Sequence, residues 1–326
     1  MAAPLAGRRI LDLGACCDAW PQALAIAMAG RLCAAYGAVV HRPRLSHGEV
    51  LANAAPLLPD GRSALDLFLN AGKSADAVGR YDAAIGTAAL LAQHAAAVPV
   101  QVRICAYGAD RDAPASELAL LALSGLLGLV GERGGVPARL AGHQLAYAAG
   151  LAATTGLIAA LFAGGAEVVD VALFDVAVWL NWKLPASLLM LGPPPEGGAP
   201  RSHWVTVPAR DGHIALVYQQ KDWPALRAMV GDPRLAHPDF ATMAARGRNW
   251  DRLLAILGPW FAARSRAEIT ANAQARRIPI GPVLFPQELL TDGHYAARGV
   301  LPADGAPRLP LIWDGARPEW EIADVG

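Results

Sequence analysis

The chain has 326 residues, 54% of them hydrophobic and 17% charged, which suits a large folded core and not a disordered chain. Its 28 basic and 28 acidic residues cancel and its pI is near 7.1, so no broad field points to nucleic acid or to an anionic membrane. The mean hydropathy of +0.30 invites a search for a membrane span. The most apolar stretches, residues 118–130 and 146–163, carry Gly, Ser, Thr or Tyr and read as too short or as core helix.

In chain order, MAAPLAGRRILDL runs straight into a strand-like segment and lacks the small-residue cleavage site of a signal peptide. Residues 9–13 form a short apolar run ending in Gly14, which suits a buried strand. Residues 19–36 repeat apolar side chains at helical spacing up to Gly37, and residues 38–41 resume as strand. Strand, helix, strand is a βαβ unit, so a parallel sheet and an α/β fold are expected. The turn LGACCDAW is not GxGxxG, and the 131–135 glycine loop is not a P-loop. Further strands are predicted at 83–85 and 98–105, and helices at 117–130 and 145–162, the latter stopped by Gly164 and Gly165. Residues 168–173 read as strand and 174–184 as another apolar helix. LGPPPEGGAP at 191–200 is too rich in Pro and Gly for either element and reads as a linker.

Beyond the linker the pattern changes to a small α+β unit. Strands at 204–207 and 213–218 flank Asp211-Gly212, a hairpin signal. Helical stretches follow at 223–230, 249–263 and 266–275, then an apolar run at 278–284. The Pro-rich last segment is expected to return to the first domain. The division is therefore 1–190 with a return over 290–326, and 200–288. Cys16, Cys17, Cys33 and Cys105 have no CxxC spacing and no histidine companions, so the expectation is reduced thiols in a cytoplasmic protein without a metal.

Several phrases resemble one family in its own order. They are RILDLG (9–14), YGAVVHRP (36–43), LNAGKS (69–74), ALSGLLGLVGERGGVPARL (122–140), GLIAALFAGGAEVVDVALFDV (156–176), ARDGHIAL (209–216) and IPIGPV (278–283). Together they resemble the family III CoA-transferases of the CaiB/BaiF type, which include α-methylacyl-CoA racemases. The resemblance implies a Rossmann-like large domain, a small domain, an interlocked dimer, and CoA or acyl-CoA as substrate. Transferases of this family use an aspartate that attacks the thioester to give a mixed anhydride. The corresponding position here is Ala146, in GHQLAYAAG, where no carboxylate stands.

Glu117 occupies the family's acidic position at a helix start and could act as acid or base; the plainer reading is a first-turn glutamate with Ser116 as cap. His143 could abstract a proton α to a thioester, or could simply cap the 145–162 helix together with Gln144. The racemases' own His–Asp pattern is not reproduced, because Ser116 stands where their His would be. The resemblance assigns Arg42, Asn70, Gly72 and Lys73 to the CoA site, beside the reading that Arg42 and Lys73 are solvated surface charge. The neutral stretch AAIGTAALLAQHAA lacks the family's usual contribution to that site. Asp170 and Asp175 are expected to be buried structural acids, and Trp179, Trp182 and Trp204 to be core or interface. Three functions stay open. One is a CoA-transferase subunit, as homodimer or with a second family III chain that supplies the carboxylate. Another is an acyl-CoA racemase or epimerase using Glu117 and His143. The last is a non-catalytic acyl-CoA-binding or scaffold protein.

Overall fold

Short apolar runs alternate with helical stretches through the first half of the chain, and that alternation lays down a parallel sheet. The computed structural model describes residues 3–44, 48–77, 79–108, 113–130, 135–192, 204–301, 307–312 and 315. The chain divides into two compact units, Met1–Met190 with Gly299–Gly326, and Leu191–Arg298.

The first unit runs β1 (Arg9–Asp12), α1 (Trp20–Ala35), β2 (Val39–His41), α2 (Ala64–Asn70), β3 (Ala83–Gly86), α3 (Ala88–His94) and β4 (Val100–Cys105). It continues with α4 (Glu117–Leu123), α5 (Gln144–Ala163), β5 (Glu167–Ala172), α6 (Leu173–Leu180) and α7 (Lys183–Leu191). All five strands are parallel in the order β2-β1-β3-β4-β5, with Ile10 opposite Val40 and Ala83, and Val102 opposite Ile85 and Val169. The order reverses between β1 and β3, and open α/β sheets bind ligands at the strand C-termini of such a reversal.

The helix α1 has no polar face, only the isolated Gln22 and Arg31, and is buried along nearly its whole length. It packs on α5 through small residues. A Cβ on Gly150 would come 2.7 Å from Met28 Cβ and 3.0 Å from Ala25 O. By length and composition α5 could cross a membrane, yet Leu145, Ala146, Ala149, Ala153 and Leu157 are buried in this unit's core. It is a core helix, ended by Gly164 in the left-handed region.

Several expectations need correction. The 117–130 helix stops at Leu123, because Ser124 ends it and Gly125 takes a positive φ; a 3₁₀ turn follows at Leu127–Leu129. The 174–184 helix is two helices broken at Asn181, whose Nδ2 donates to Ser124 O at 2.9 Å. Asp170 and Asp175 are exposed, and so are Trp179, Trp182 and Trp204, so none of these five belongs to a core. Residues 290–298 belong to the second unit. Most of the linker (193–200) and most of the glycine loop (131–134) lie outside the described residues. Of the return, 307–312 is described, and Leu309 is buried against Leu32 and Ala35.

The second unit contains β6 (Val205–Ala209), β7 (Gly212–Leu216), α8 (Trp223–Val230), α9 (Met243–Arg248), α10 (Trp250–Ala262), α11 (Arg266–Ala275), β8 (Gly281–Val283), α12 (Pro286–Leu289) and α13 (Gly293–Arg298). Its sheet is antiparallel in the order β6-β7-β8. The hairpin turn is Arg210-Asp211, not Asp-Gly: Ala209 pairs with Gly212, which opens β7 at φ 143. Phe240, Leu253, Phe261 and Ile269 lie in its core. Arg246 is also buried, donating to Phe240 O and Gln220 Oε1 with its guanidinium 4.4 Å from the Trp223 ring.

Candidate active site

Ser116 caps α4 by accepting from Ala119 N at 3.1 Å, which fixes Glu117 in the first helical turn. The side chain of Glu117 is only 5% exposed, and its Oε2 lies 3.1 Å from His143 Nδ1. His143 stands at the N-cap of α5 but makes no side-chain cap; its ring goes to Glu117 instead. Trp20 meets that ring edge-on at 5.6 Å, and Tyr147 at 6.4 Å. Arg139 comes within 4.0 Å of the same Glu117 oxygen from a half-exposed position. Burial raises the Tyr147 pKa, and the Glu117 charge raises it further, against an opposing pull from Arg31. A carboxylate that accepts the Nδ1–H of a histidine leaves Nε2 with its lone pair, so the pair can take up and return a proton.

Glu117 and Tyr147 line a cavity of about 540 Å³ whose remaining wall is nearly all apolar, including Leu121, Leu126, Leu127 and Leu309. Ala146, where the family's aspartate would stand, is fully buried in the core.

A second pocket of about 440 Å³ lies at the C-terminal ends of β1, β3 and β4, at the sheet's order reversal. Its wall includes Ala19, Gln22, Thr87, Arg103 and Asp170. Arg103 and Asp170 form a bidentate pair with both contacts at 2.6 Å. Gln22 Oε1 is buried with no hydrogen-bond partner among the described residues. The first turn of α1 has neither a side-chain cap nor an acidic residue, while Asp18, just before the N-cap, lines the same pocket. Trp20, which packs on His143, lies in sequence between Ala19 and Gln22 of this pocket's wall. Nothing in the sequence marked Gln22, Thr87 or Arg103; the usable signal was the strand order, which only the fold supplies.

Arg42, Asn70, Gly72 and Lys73 also come together, in a network of hydrogen bonds and ion pairs with other protein groups. Lys73 Nζ donates to Asp12 Oδ2 at 2.6 Å, Ala27 O at 2.8 Å and Asn70 Oδ1 at 2.8 Å, which uses all three of its protons. Asp12 Oδ1 accepts from Gly14 N at 2.8 Å. Asn70 Nδ2 donates to Asp66 Oδ1 at 2.7 Å, and Arg42 pairs with Glu49 and, at 3.5 Å, with Asp66. Burial pushes the Lys73 pKa down, against the pull of Asp12. Gly72, at φ 77, makes the turn that brings Lys73 inward. Among the described residues no three His, Cys, Asp or Glu are placed to hold a metal ion.

A family model for CoA-transferase family III matches residues 83–308. The chain is similar to a probable CoA-transferase of Mycobacterium tuberculosis, Rv1866, at 25% identity over 202 residues, which make 57% of this chain and 25% of that protein. It is similar to a formyl-CoA:oxalate CoA-transferase of Streptomyces avermitilis at 28% identity over 86 residues, 26% of this chain and 21% of that enzyme. The matches therefore span about a quarter or less of those relatives' own lengths. In fold, the chain is similar to a CAIB/BAIF family protein from Brucella suis, with TM-score 0.79 and 20% identity over 99% of this chain and 95% of that one. The ordered motifs, the parallel sheet and the family match agree, and the chain belongs to CoA-transferase family III.

Proposed function

We propose that this chain binds acyl-CoA thioesters and exchanges a proton at the carbon α to the thioester carbonyl, with Glu117 and His143 as the acid–base pair. The observation that carries this reading is the 3.1 Å contact between the two side chains beside a largely apolar cavity. The acyl group would enter that cavity, while the CoA portion would use the polar pocket at the strand ends. Gln22 Oε1 and the uncapped start of α1 offer complementary polar groups there. Abstraction moves the α-proton to the pair and leaves an enolate at the thioester; return of a proton regenerates the ester, so the step balances without a co-reactant. The four unpaired cysteines fit a reducing, cytoplasmic setting. The test is deuterium uptake at the α-carbon of a 2-methylacyl-CoA in ²H₂O, followed by mass spectrometry as a function of pH. Uptake that depends on the pair supports the reading, and no uptake at any pH rejects it.

A second reading is a transferase subunit that takes its nucleophilic carboxylate from another chain. Ala146 favours it, because alanine cannot form an anhydride. So do the exposed apolar side chains Trp179, Trp182, Leu189 and Met190. CoA transfer that appears only when a carboxylate-bearing family III chain is added would select this reading.

A further inference from the structure

We infer, resting on the reading of Glu117 and His143 as the proton-handling pair, that the acyl group is uncharged and extended, with several apolar carbons. Short dicarboxylic acyl groups are excluded. Two features of the cavity carry this. Its volume of about 540 Å³ is far more than a one- or two-carbon acyl group fills, and a void around a small ligand forfeits the dispersion contacts of its lining. Its wall is built from leucines, among them Leu121, Leu126, Leu127, Leu145, Leu151 and Leu309.

The charge pattern points the same way. Among the described residues that line the cavity, Glu117 is the one charged side chain. A second carboxylate on the acyl group would therefore be buried against hydrocarbon and near a group of its own sign. Two cations lie near without being part of the wall: Arg139 faces Glu117 at 4.0 Å, and the buried Arg31 acts on Tyr147. An apolar acyl chain meets neither penalty, and each methylene placed in the cavity should tighten binding about fourfold, equivalent to about 0.8 kcal/mol.

The test is calorimetric titration of the full chain with free CoA, acetyl-, butyryl-, hexanoyl- and succinyl-CoA. Affinity should rise on the order of a hundredfold from acetyl- to hexanoyl-CoA, with succinyl-CoA no tighter than acetyl-CoA. Ala148, half-buried in the cavity wall, gives a second handle: Ala148→Phe puts a ring into the cavity and should flatten the series. The wild-type series stands alone if that variant does not fold. Equal affinities along the series, or succinyl-CoA bound more tightly than butyryl-CoA, overturn the inference. A flat series alongside intact α-proton exchange removes only this inference, and a steep series without exchange removes the proton-transfer reading. Absence of binding to CoA and all its esters removes both.

Discussion

The first unit holds two clusters of charge that differ in one respect. In the Asp12–Asn70–Lys73 cluster every strong donor already has a protein partner, and the Lys73 side chain is 1% exposed. In the Glu117–His143 cluster one imidazole nitrogen contacts the carboxylate, the carboxylate lines a cavity, and the histidine is partly open. The first arrangement ties β1, α1 and the end of α2 together and uses all three Lys73 protons within the protein. The second leaves a buried carboxylate, paired with a histidine, on the wall of a cavity. Whether the donors are saturated, more than the residue types, separates a cluster that builds the fold from one that can do chemistry.

That contrast can be broken by substitution. Lys73→Met should destabilise the chain by about 3–5 kcal/mol in denaturant unfolding, because it strands a buried Asp12 carboxylate. Lost CoA affinity with unchanged stability would instead return Lys73 to the ligand. Gly30→Ala acts on the same cluster from α1, since its new Cβ would overlap the Asp12 carboxylate and come 3.1 Å from Lys73 Cε. A cost of about 1–3 kcal/mol is expected, despite alanine's better helix propensity. The partly buried pair Arg266–Glu288 in the second unit gives the mildest case. Arg266, helped by the Phe285 N–H, holds the Glu288 pKa down to about 2 from 4.5. A depressed carboxylate stabilises the fold above its unfolded pKa and loses that contribution as pH falls through the folded one. Acid titration of unfolding should thus show a small loss between pH 4.5 and about 2, reduced in Arg266→Gln, which leaves only the Phe285 N–H on Glu288.

Much of the fold was legible because its elements follow local rules. The helices at 223–230 and 266–275 have the bounds their apolar spacing predicts, and the βαβ unit at the N-terminus follows the same logic. The short helices α2 and α3 went unread, since seven residues give too few turns for a period to stand out. For the site, Glu117 and His143 were legible as candidates, but their pairing across 26 residues required the fold. The pairing of Lys73 was hidden for the same reason: its partner Asp12 lies 61 residues away. The polar pocket was invisible because it depends on the order in which strands lie beside each other.

The central claim is that Glu117 and His143 form the chemically active cluster. Its most direct test is the rate of α-deuterium incorporation into a 2-methylacyl-CoA by wild type and Glu117→Gln, measured alongside unfolding of both. The account predicts a fall of about 10²–10⁴-fold in exchange with stability changed by less than about 1 kcal/mol, because glutamine keeps an oxygen able to accept from His143. Exchange at the wild-type rate in a folded Glu117→Gln variant would contradict it.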